Sequence, residues 1–368
     1  MSSSLRGRSY RLGDDDEAER GLRTAGQGNE SFYSHHIQPT RKRHWYEISA
    51  GKTAIIMGVA LGIGTLAAII GGHGSGHSQK DQTELCQWDS PRLPSSYYTA
   101  KEYRWFIAPE DIEGDSLDMS GVVVAELNLQ KATKCIVMNS HNLEYDAETV
   151  FYRVHGDTDT SKKVNDVQIK EENDQIIIHL PETVGKNKNL QLTVHYKGKL
   201  SQDMQGLYVS TYKAEGVDKK MVSTQFEATY ARRAFPCLDE PAFKAKFNIS
   251  IGNVPEGFTA LSNMPVKERQ DGGKTVAFEQ SVPMSTYLVA LAVGELDAVS
   301  KQVNVGSDDE PHMVNLTVWG TKAPTRQDQL QYALDVAADI LPFYSNFFRI
   351  PFPLPKTDLI AIPGMFGS

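Results

Sequence analysis

Residues 243–251, FKAKFNISI, alternate strictly between apolar and polar side chains. Successive side chains of a strand point to opposite faces, so this stretch predicts a half-buried β-strand whose lysines face solvent. The same alternation recurs through residues 97–300, in runs that include Val123 to Leu129, Ile176 to Leu180 and Leu190 to Tyr196. Repeated half-buried strands are typical of antiparallel sheets. The sequence therefore predicts a mostly β, antiparallel domain over residues 96–300.

The length and the charge balance limit the classes of protein to which the chain can belong. The chain has 368 residues, which at roughly 150 residues per domain predicts about two or three domains. It carries 46 acidic and 38 basic side chains, a net charge of −8. Coating a phosphate backbone requires a basic excess, so nucleic acid is not expected as a partner.

The alternation stops near residue 300, and residues 325–348 follow a helical period instead. Their apolar side chains are spaced three, four or seven residues apart: Leu330, Leu334, Ala337, Leu341 and Phe348. This spacing predicts one amphipathic helix with a kink at Pro342. Residues 301–368 are therefore predicted to begin a second domain of a different class.

Residues 54–72, AIIMGVALGIGTLAAIIGG, contain no charged side chain and approach the roughly 20 apolar residues that a spanning helix needs. We predict a transmembrane signal anchor over 53–72 rather than a signal-peptide core or a buried helix, because a long polar stretch precedes it. Basic residues cluster before this segment, at 41–43 and Lys52, whereas Lys80 stands alone in the twenty residues after it. The asymmetry predicts a cytosolic N-terminus and a single-pass type II protein whose C-terminal part is extracellular or lumenal. We expect this protein at the plasma membrane.

The segments on either side of the predicted span are polar. Residues 1–52 have few apolar side chains and are predicted to be a disordered cytosolic tail, and residues 73–95 are predicted to be a stalk. Within the span, Gly58 and Gly62 would let two helices approach closely and form a homodimer. Glycine is also frequent in spanning helices that do not pair, so both alternatives stay open.

Two features agree with export of the C-terminal part. Sequons at Asn248 and Asn315 lie on the polar sides of their strands, which predicts glycosylation at both. The three cysteines, Cys86, Cys135 and Cys237, all follow the predicted span. They allow one disulfide and leave at least one thiol, and the spacing does not decide the pairing.

The sequence contains no G-x-S-x-G, phosphate loop, C-x-x-C or H-E-x-x-H. Residues 223–241, STQFEATYARRAFPCLDEP, instead concentrate charged and amide groups in a short segment. Gln225 and Glu227 are two apart and would point to the same side of an extended chain. The arginines near Asp239 and Glu240 predict an ion-paired loop that fixes the backbone. On the pattern alone, a purely structural loop is the alternative.

The segment 223–241 resembles the signature TQ-x-E-x-x-x-ARRxFPCxDEP of the aminopeptidase N-type zinc metallopeptidases. Three further segments agree in order: LSNMP at 261–265, STYLVALAVGEL at 285–296 and FPLPKTDLIAIP at 352–363. The resemblance implies a saddle- or sandwich-like N-terminal β domain followed by the start of an α+β, thermolysin-like domain. It also implies that the complete enzyme removes N-terminal residues from peptides with a bound zinc ion.

The resemblance gives roles to two residues of this chain. Glu227 matches the acidic residue that binds the free α-ammonium group of a peptide, and Gln225 matches a neighbour lining the same pocket. Peptide N-termini are therefore the expected ligands, and the segment 232–241 is expected to be architectural. Position 230 is Tyr where many members of that family have Asp.

The resemblance also implies residues that are absent from this sequence. In the family, AIP leads into G-A-M-E-N and then an H-E-x-x-H helix, whereas here residues 361–368 read AIPGMFGS. We therefore expect no catalytic or metal-ligating residue in this chain, no zinc cofactor and no activity, the peptidase domain being truncated before its zinc motif. The alternative is a non-catalytic, membrane-displayed binding or dimerising module, such as a partner or decoy of a full-length relative.

Overall fold

The computed structural model describes residues 84–156, 160–306, 310–322 and 327–364. The predicted cytosolic tail, the predicted span at 53–72 and the first part of the predicted stalk lie outside these residues. In the part of the chain that the structure describes, no helix combines the length and apolar character needed to cross a membrane.

The described residues are mostly β, as predicted. The strands, in chain order, are β1 (Tyr98–Pro109), β2 (Asp118–Leu129), β3 (Thr133–Asn139), β4 (Glu144–Val154), β5 (Lys162–Lys163), β6 (Asp166–Lys170), β7 (Gln175–Val184), β8 (Asn189–Lys199), β9 (Gly206–Ala214), β10 (Val217–Gln225), β11 (Lys246–Ile251), β12 (Thr259–Ser262), β13 (Val266–Gln270), β14 (Thr275–Phe278), β15 (Leu291–Gly294), β16 (Leu296–Asn304), β17 (Met313–Thr321) and β18 (Lys356–Ile360). The α-helix of this part of the chain is α1 (Gln327–Phe348), and short 3-10 helices occupy Glu84–Gln87, Glu171–Asn173, Ala231–Arg233, Asp271–Gly273 and Thr286–Leu288.

These strands form four sheets. The largest has eight strands in the order β13-β14-β11-β1-β2-β8-β4-β5, and a four-stranded sheet has the order β12-β15-β10-β9. Two three-stranded sheets have the orders β3-β7-β6 and β16-β17-β18. Neighbouring strands are antiparallel except β1 with β11 and β17 with β18, which are parallel. The prediction of antiparallel β architecture is thus confirmed, with two parallel pairs that the alternation could not show.

The alternating side chains build the main core. In β2 every second residue is buried, and in β11 Phe247, Ile249 and Ile251 are buried while Lys246 is exposed. Aromatic rings fill the centre of this core, with Trp105 stacked on Phe235 at 4.3 Å between ring centroids and Tyr103 stacked on Phe247 at 5.2 Å. Offset and stacked aromatic pairs add to the burial of apolar area.

Strand β7 departs from the predicted alternation, because Ile177 is as fully buried as Ile176 and Ile178. Ile177 lies on the face of the sheet that also carries Cys135 of β3, and Cys135 is bonded to Cys86 in the 3-10 helix Glu84–Gln87. Residues 84–95 therefore cover this second face, with Leu85 fully buried. These residues, the last part of the predicted stalk, are thus packed against the β domain.

A second, smaller core lies between α1 and the sheet β16-β17-β18. Its buried members include Val314, Leu316, Leu330 and Leu334. Of the predicted apolar face of the helix, Ala337 and Leu341 pack at the edge of this core, whereas Phe348 is 61% exposed. The helix continues through Pro342. Strand β16 crosses the predicted domain boundary at residue 300, since its first residue is Leu296.

Candidate functional site

Strand β10 ends at Gln225, and the next residues leave the sheet. Gln225 is half-buried and Glu227 is exposed, but Phe226 between them is only 2% exposed. Phe226 packs against Trp105 and Phe235, with ring centroids 6.2 and 6.3 Å apart. One buried aromatic ring therefore fixes the place where the amide and the carboxylate emerge. The peptide bond between Glu227 and Ala228 is cis.

The neighbouring strand also shapes this corner. Gly206 of β9 pairs with Gln225 and has a φ of +75°, a conformation that favours glycine. A Cβ atom at position 206 would lie 2.8 Å from the Cβ of Arg233. The glycine thus lets the segment after β10 fold back closely over the end of the hairpin.

The segment that follows is the predicted ion-paired loop. The Nε of Arg232 donates to the Oδ2 of Asp239 at 3.0 Å, and the backbone N–H of Arg232 donates to the same oxygen at 3.2 Å. The Asp239 side chain is 1% exposed, and its backbone N–H donates to the Oδ1 of Asn139 at 3.0 Å. Burial raises the pKa of the Asp239 carboxyl above its usual range, and the Arg232 guanidinium opposes that rise. These hydrogen bonds connect the loop to β3 and hold its backbone in place.

The other two charges of the loop have different partners from those that the sequence suggested. Arg233 pairs with Asp203 at 3.0 Å, and the Oε1 of Glu240 accepts a hydrogen bond from the backbone N–H of Leu93 at 2.7 Å. Glu240 therefore holds residues 84–95 to the loop. The sequence could not show this, because Leu93 is remote along the chain from residue 240.

A cavity of about 250 Å³ lies between the four-stranded sheet and β18, and Thr224 of β10 is one of its lining residues. Its lining includes Asn263, Phe352 and Lys356. Lys356 donates to the backbone oxygen of Ser262 at 2.7 Å and pairs with Asp358, which accepts from the Nε1 of Trp319 at 3.0 Å. Sequence reasoning did not single out Lys356 and Asp358; the signal was two opposite charges, two residues apart, in an otherwise apolar segment.

The chain is similar to known proteins over the residues that form this site. The family model described as Peptidase M1 N-terminal domain matches residues 99–288. The chain belongs to the peptidase M1 family. The matched residues contain the whole segment 223–241 and most of the main core around it.

Three relatives show the extent of the similarity. Endoplasmic reticulum aminopeptidase 1 of Homo sapiens is 36% identical over 280 residues, which are 75% of this chain and 28% of the relative. Aminopeptidase M1 of Arabidopsis thaliana is 34% identical over 275 residues, 74% of this chain and 30% of the relative. Puromycin-sensitive aminopeptidase of Caenorhabditis elegans is 44% identical over 193 residues, 51% of this chain and 19% of the relative. The chain thus spans less than a third of the length of these M1 relatives.

The other predicted site residues lie apart from this corner of the M1 domain. Asn248, on the outer face of β11, is half-buried, and its Nδ2 donates to Glu102 at 2.8 Å. Asn315, on β17, is exposed, and its Oδ1 accepts from Gln302 at 3.1 Å. The two sequons lie on different sheets, and glycosylation at both stays a prediction.

The zinc ion that the family resemblance implies does not fit the donors of the described residues. Among these residues, one group of three His, Cys, Asp or Glu donors is close enough to share an ion, and it consists of Cys86, Cys135 and His179. The two sulfurs of this group are bonded to each other, which leaves the imidazole as the remaining strong donor. A catalytic zinc site needs three protein ligands and an open position, so this group is not one.

Proposed function

We propose that this chain is the N-terminal region of an aminopeptidase and that Glu227 and Gln225 bind the free amino end of a peptide. The relatives that support this proposal are aminopeptidases by name. The observation that carries it is the exposed Glu227 carboxylate, fixed by the buried Phe226 at the end of β10 and next to Gln225. A carboxylate attracts an α-ammonium group, and an amide can accept one of its hydrogens.

Binding at this point would also set the register of the peptide. A free α-ammonium group is absent from internal peptide bonds, so the carboxylate would select chain ends over internal segments. Fixing the first residue places the first peptide bond at a constant distance from Glu227, which is the positioning that cleavage of one N-terminal residue requires.

We propose that these 368 residues by themselves bind the amino end without cleaving the peptide. The sequence contains no H-E-x-x-H, and with the Cys86–Cys135 disulfide formed the described residues supply no open set of three zinc ligands. Hydrolysis in the proposed role therefore depends on residues other than these.

We further propose that residues 53–72 anchor the chain in the plasma membrane, with the N-terminus in the cytosol and residues 73–368 outside it. The Cys86–Cys135 disulfide supports this proposal, because disulfides persist in oxidising compartments and are rare in the cytosol. Glycosylation at Asn248 and Asn315 belongs to the same proposal.

The second candidate function is a non-catalytic module that pairs with another copy of the chain or with a full-length relative. The observation that favours it is the apolar outer face of α1, where Tyr332, Ile340, Phe343 and Phe347 are 45 to 73% exposed. Exposed apolar patches often mark protein-binding surfaces. Pairing through Gly58 and Gly62 in the predicted span would bring such a partner close. An unpaired chain in detergent would contradict this candidate.

The test of the proposed function compares two peptides that differ only at the amino end. A peptide carrying a C-terminal fluorophore is prepared with a free or an acetylated N-terminus, and its binding to the full chain is followed by fluorescence anisotropy. We expect the free form to bind more tightly, and we expect Glu227→Gln to abolish that difference. Glu256→Gln changes another exposed glutamate and should keep it.

Equal binding of the free and acetylated peptides to the unchanged chain would contradict the proposal. So would a Glu227→Gln variant that retains the preference. Unchanged thermal unfolding of both variants is the control that separates loss of the ligand contact from loss of the fold.

A further inference from the structure

A cysteine pair and a histidine meet where residues 84–95 cover the sheet β3-β7-β6. Cys86 belongs to the 3-10 helix Glu84–Gln87, and Cys135 of β3 lies directly opposite His179 of β7. The Sγ of Cys135 is 3.3 Å from the Nδ1 of His179, and the three donor atoms lie within 4.8 Å of one another. Cys135 is fully buried, whereas Cys86 and His179 are half-buried. Nothing in the proposed peptide-binding role uses this cluster.

The spacing of Cys135 and His179 matches that of two ligands of one zinc ion. With Zn–S bonds of about 2.3 Å and Zn–N bonds of about 2.0 Å, tetrahedral geometry places a sulfur and a nitrogen roughly 3.5 Å apart. The distance between Cys135 and His179 is close to this value already. Once the S–S bond is broken, the two sulfurs must part to about 3.8 Å to share a zinc ion at the same bond lengths.

We propose that Cys86, Cys135 and His179 bind a zinc ion when the disulfide is reduced. A dithiol donor gives two electrons and two protons to the disulfide and leaves as its own disulfide, so the chain gains two thiols. Zinc then displaces the two thiol protons to solvent, and neutral His179 donates the lone pair of Nδ1. Two thiolates and one imidazole around Zn²⁺ form a site of zero net charge, and soft sulfur ligands with an imidazole suit zinc.

The fourth position of the site is open to water or to one further ligand. Asp166 of β6 is the cross-strand neighbour of His179 on the other side, and it is exposed. Directly paired residues of an antiparallel ladder share one face of the sheet, so its carboxylate lies on the face that carries the cluster. Asp166 lies outside the group of three close donors, and water would fill the fourth position first.

Zinc and the disulfide would hold the same two segments together under different redox conditions. The disulfide joins residues 84–95 to β3 in an oxidising compartment. In a reducing one, the zinc ion would make the same connection, and the packing of Leu85 and Leu93 on the domain would persist.

The experiment uses the full chain in detergent, oxidised or reduced with a phosphine, and the metal ions alone as probes. The phosphine takes the oxygen of water as it reduces the disulfide and does not compete for zinc as a dithiol would. Added Co²⁺ should give a sulfur-to-cobalt charge-transfer band in the reduced chain only, and one equivalent of Zn²⁺ should remove it. Cys237 should not contribute, since it lies outside the group of three close donors.

Variants identify the ligands. Cys86→Ser should abolish the tight site. His179→Gln should lower the zinc affinity of the reduced chain by more than the roughly 10- to 100-fold that losing an outer-shell partner costs. His195→Gln, which changes an exposed histidine of β8, is the matched control and should leave the affinity unchanged.

Three outcomes would overturn the proposal. The first is equal zinc binding by the oxidised and the reduced chain, and the second is equal affinity of the His179→Gln and His195→Gln variants. The third is a reduced chain that loses its near-ultraviolet circular dichroism and does not regain it with zinc. None of these outcomes bears on Glu227, because the peptide-binding test uses the oxidised chain.

Discussion

At the scale of single residues, Arg232 and Asp239 form the most buried ion pair in the candidate site. The Asp239 side chain is 1% exposed and that of Arg232 is 12% exposed. Arg233, the next residue, pairs instead with Asp203, whose side chain is 55% exposed. Two adjacent arginines thus make one buried and one surface pair, which is a matched comparison within a single loop.

We expect Arg232→Ala to lower the free energy of unfolding by about 3–5 kcal/mol, because it leaves a buried carboxylate without its partner. Arg233→Ala keeps the Cβ that contacts Gly206 and should cost about 1 kcal/mol or less, as exposed pairs do. Urea unfolding of both variants measures the difference. Equal losses would show that the Arg232 pair has no special structural role.

The Arg232→Ala variant should also change the dependence of stability on pH. Burial already raises the pKa of Asp239 above its unfolded value, and removing the guanidinium that opposes this rise raises it further. A carboxyl with a raised folded-state pKa destabilises the fold above that pKa, and the penalty disappears as the pH falls through it. The difference in free energy of unfolding between the variant and the unchanged chain should therefore become smaller toward acid pH. A difference that is constant or widens would contradict this expectation.

At the scale of elements, α1 packs by a narrow stripe. Leu334 is 2% exposed in the smaller core, whereas Tyr332, two residues earlier, is 73% exposed. We expect Leu334→Ala to cost about 2–5 kcal/mol, the usual range for a buried leucine. Tyr332→Ala should stay within about 0.5 kcal/mol of the unchanged chain, as exposed substitutions do. Thermal unfolding checks both, and a large loss for Tyr332→Ala would mean that the outer face of α1 is covered in solution.

The same elements show how far sequence periodicity can predict structure. The period of two located β2 and β11, because each of these strands has one face on the core and one on solvent. It failed at β7, where Ile177 faces residues 84–95 and both faces are buried. An alternating pattern shows that one face of a strand is buried and the other is exposed. The pattern is lost when a segment remote in the sequence covers the second face.

The sequence proposes the residues of the candidate site but does not show all of their contacts. Gln225 and Glu227 were identified by motif, and the structure adds that the buried Phe226 fixes both. The ion pair of Arg232 with Asp239 joins residues only seven positions apart, so a local sequence pattern could indicate it. The bond from Leu93 to Glu240 joins residues 147 positions apart. Contacts of that range depend on the packing of whole sheets, which no local pattern contains.

At the scale of the whole molecule, one covalent cross-link joins residues 84–95 to the main core. The Cys86–Cys135 disulfide closes a loop of 49 residues, for which the chain-entropy model gives about 4 kcal/mol of stabilisation. We expect the double change Cys86→Ala and Cys135→Ala to lower the free energy of unfolding by up to about that amount in the absence of metal. Cys237→Ala removes a buried thiol but no cross-link and should cost about 1 kcal/mol. If urea unfolding gave the same loss for the double variant and for Cys237→Ala, the apolar contacts of Leu85 and Leu93 would be what holds this segment in place.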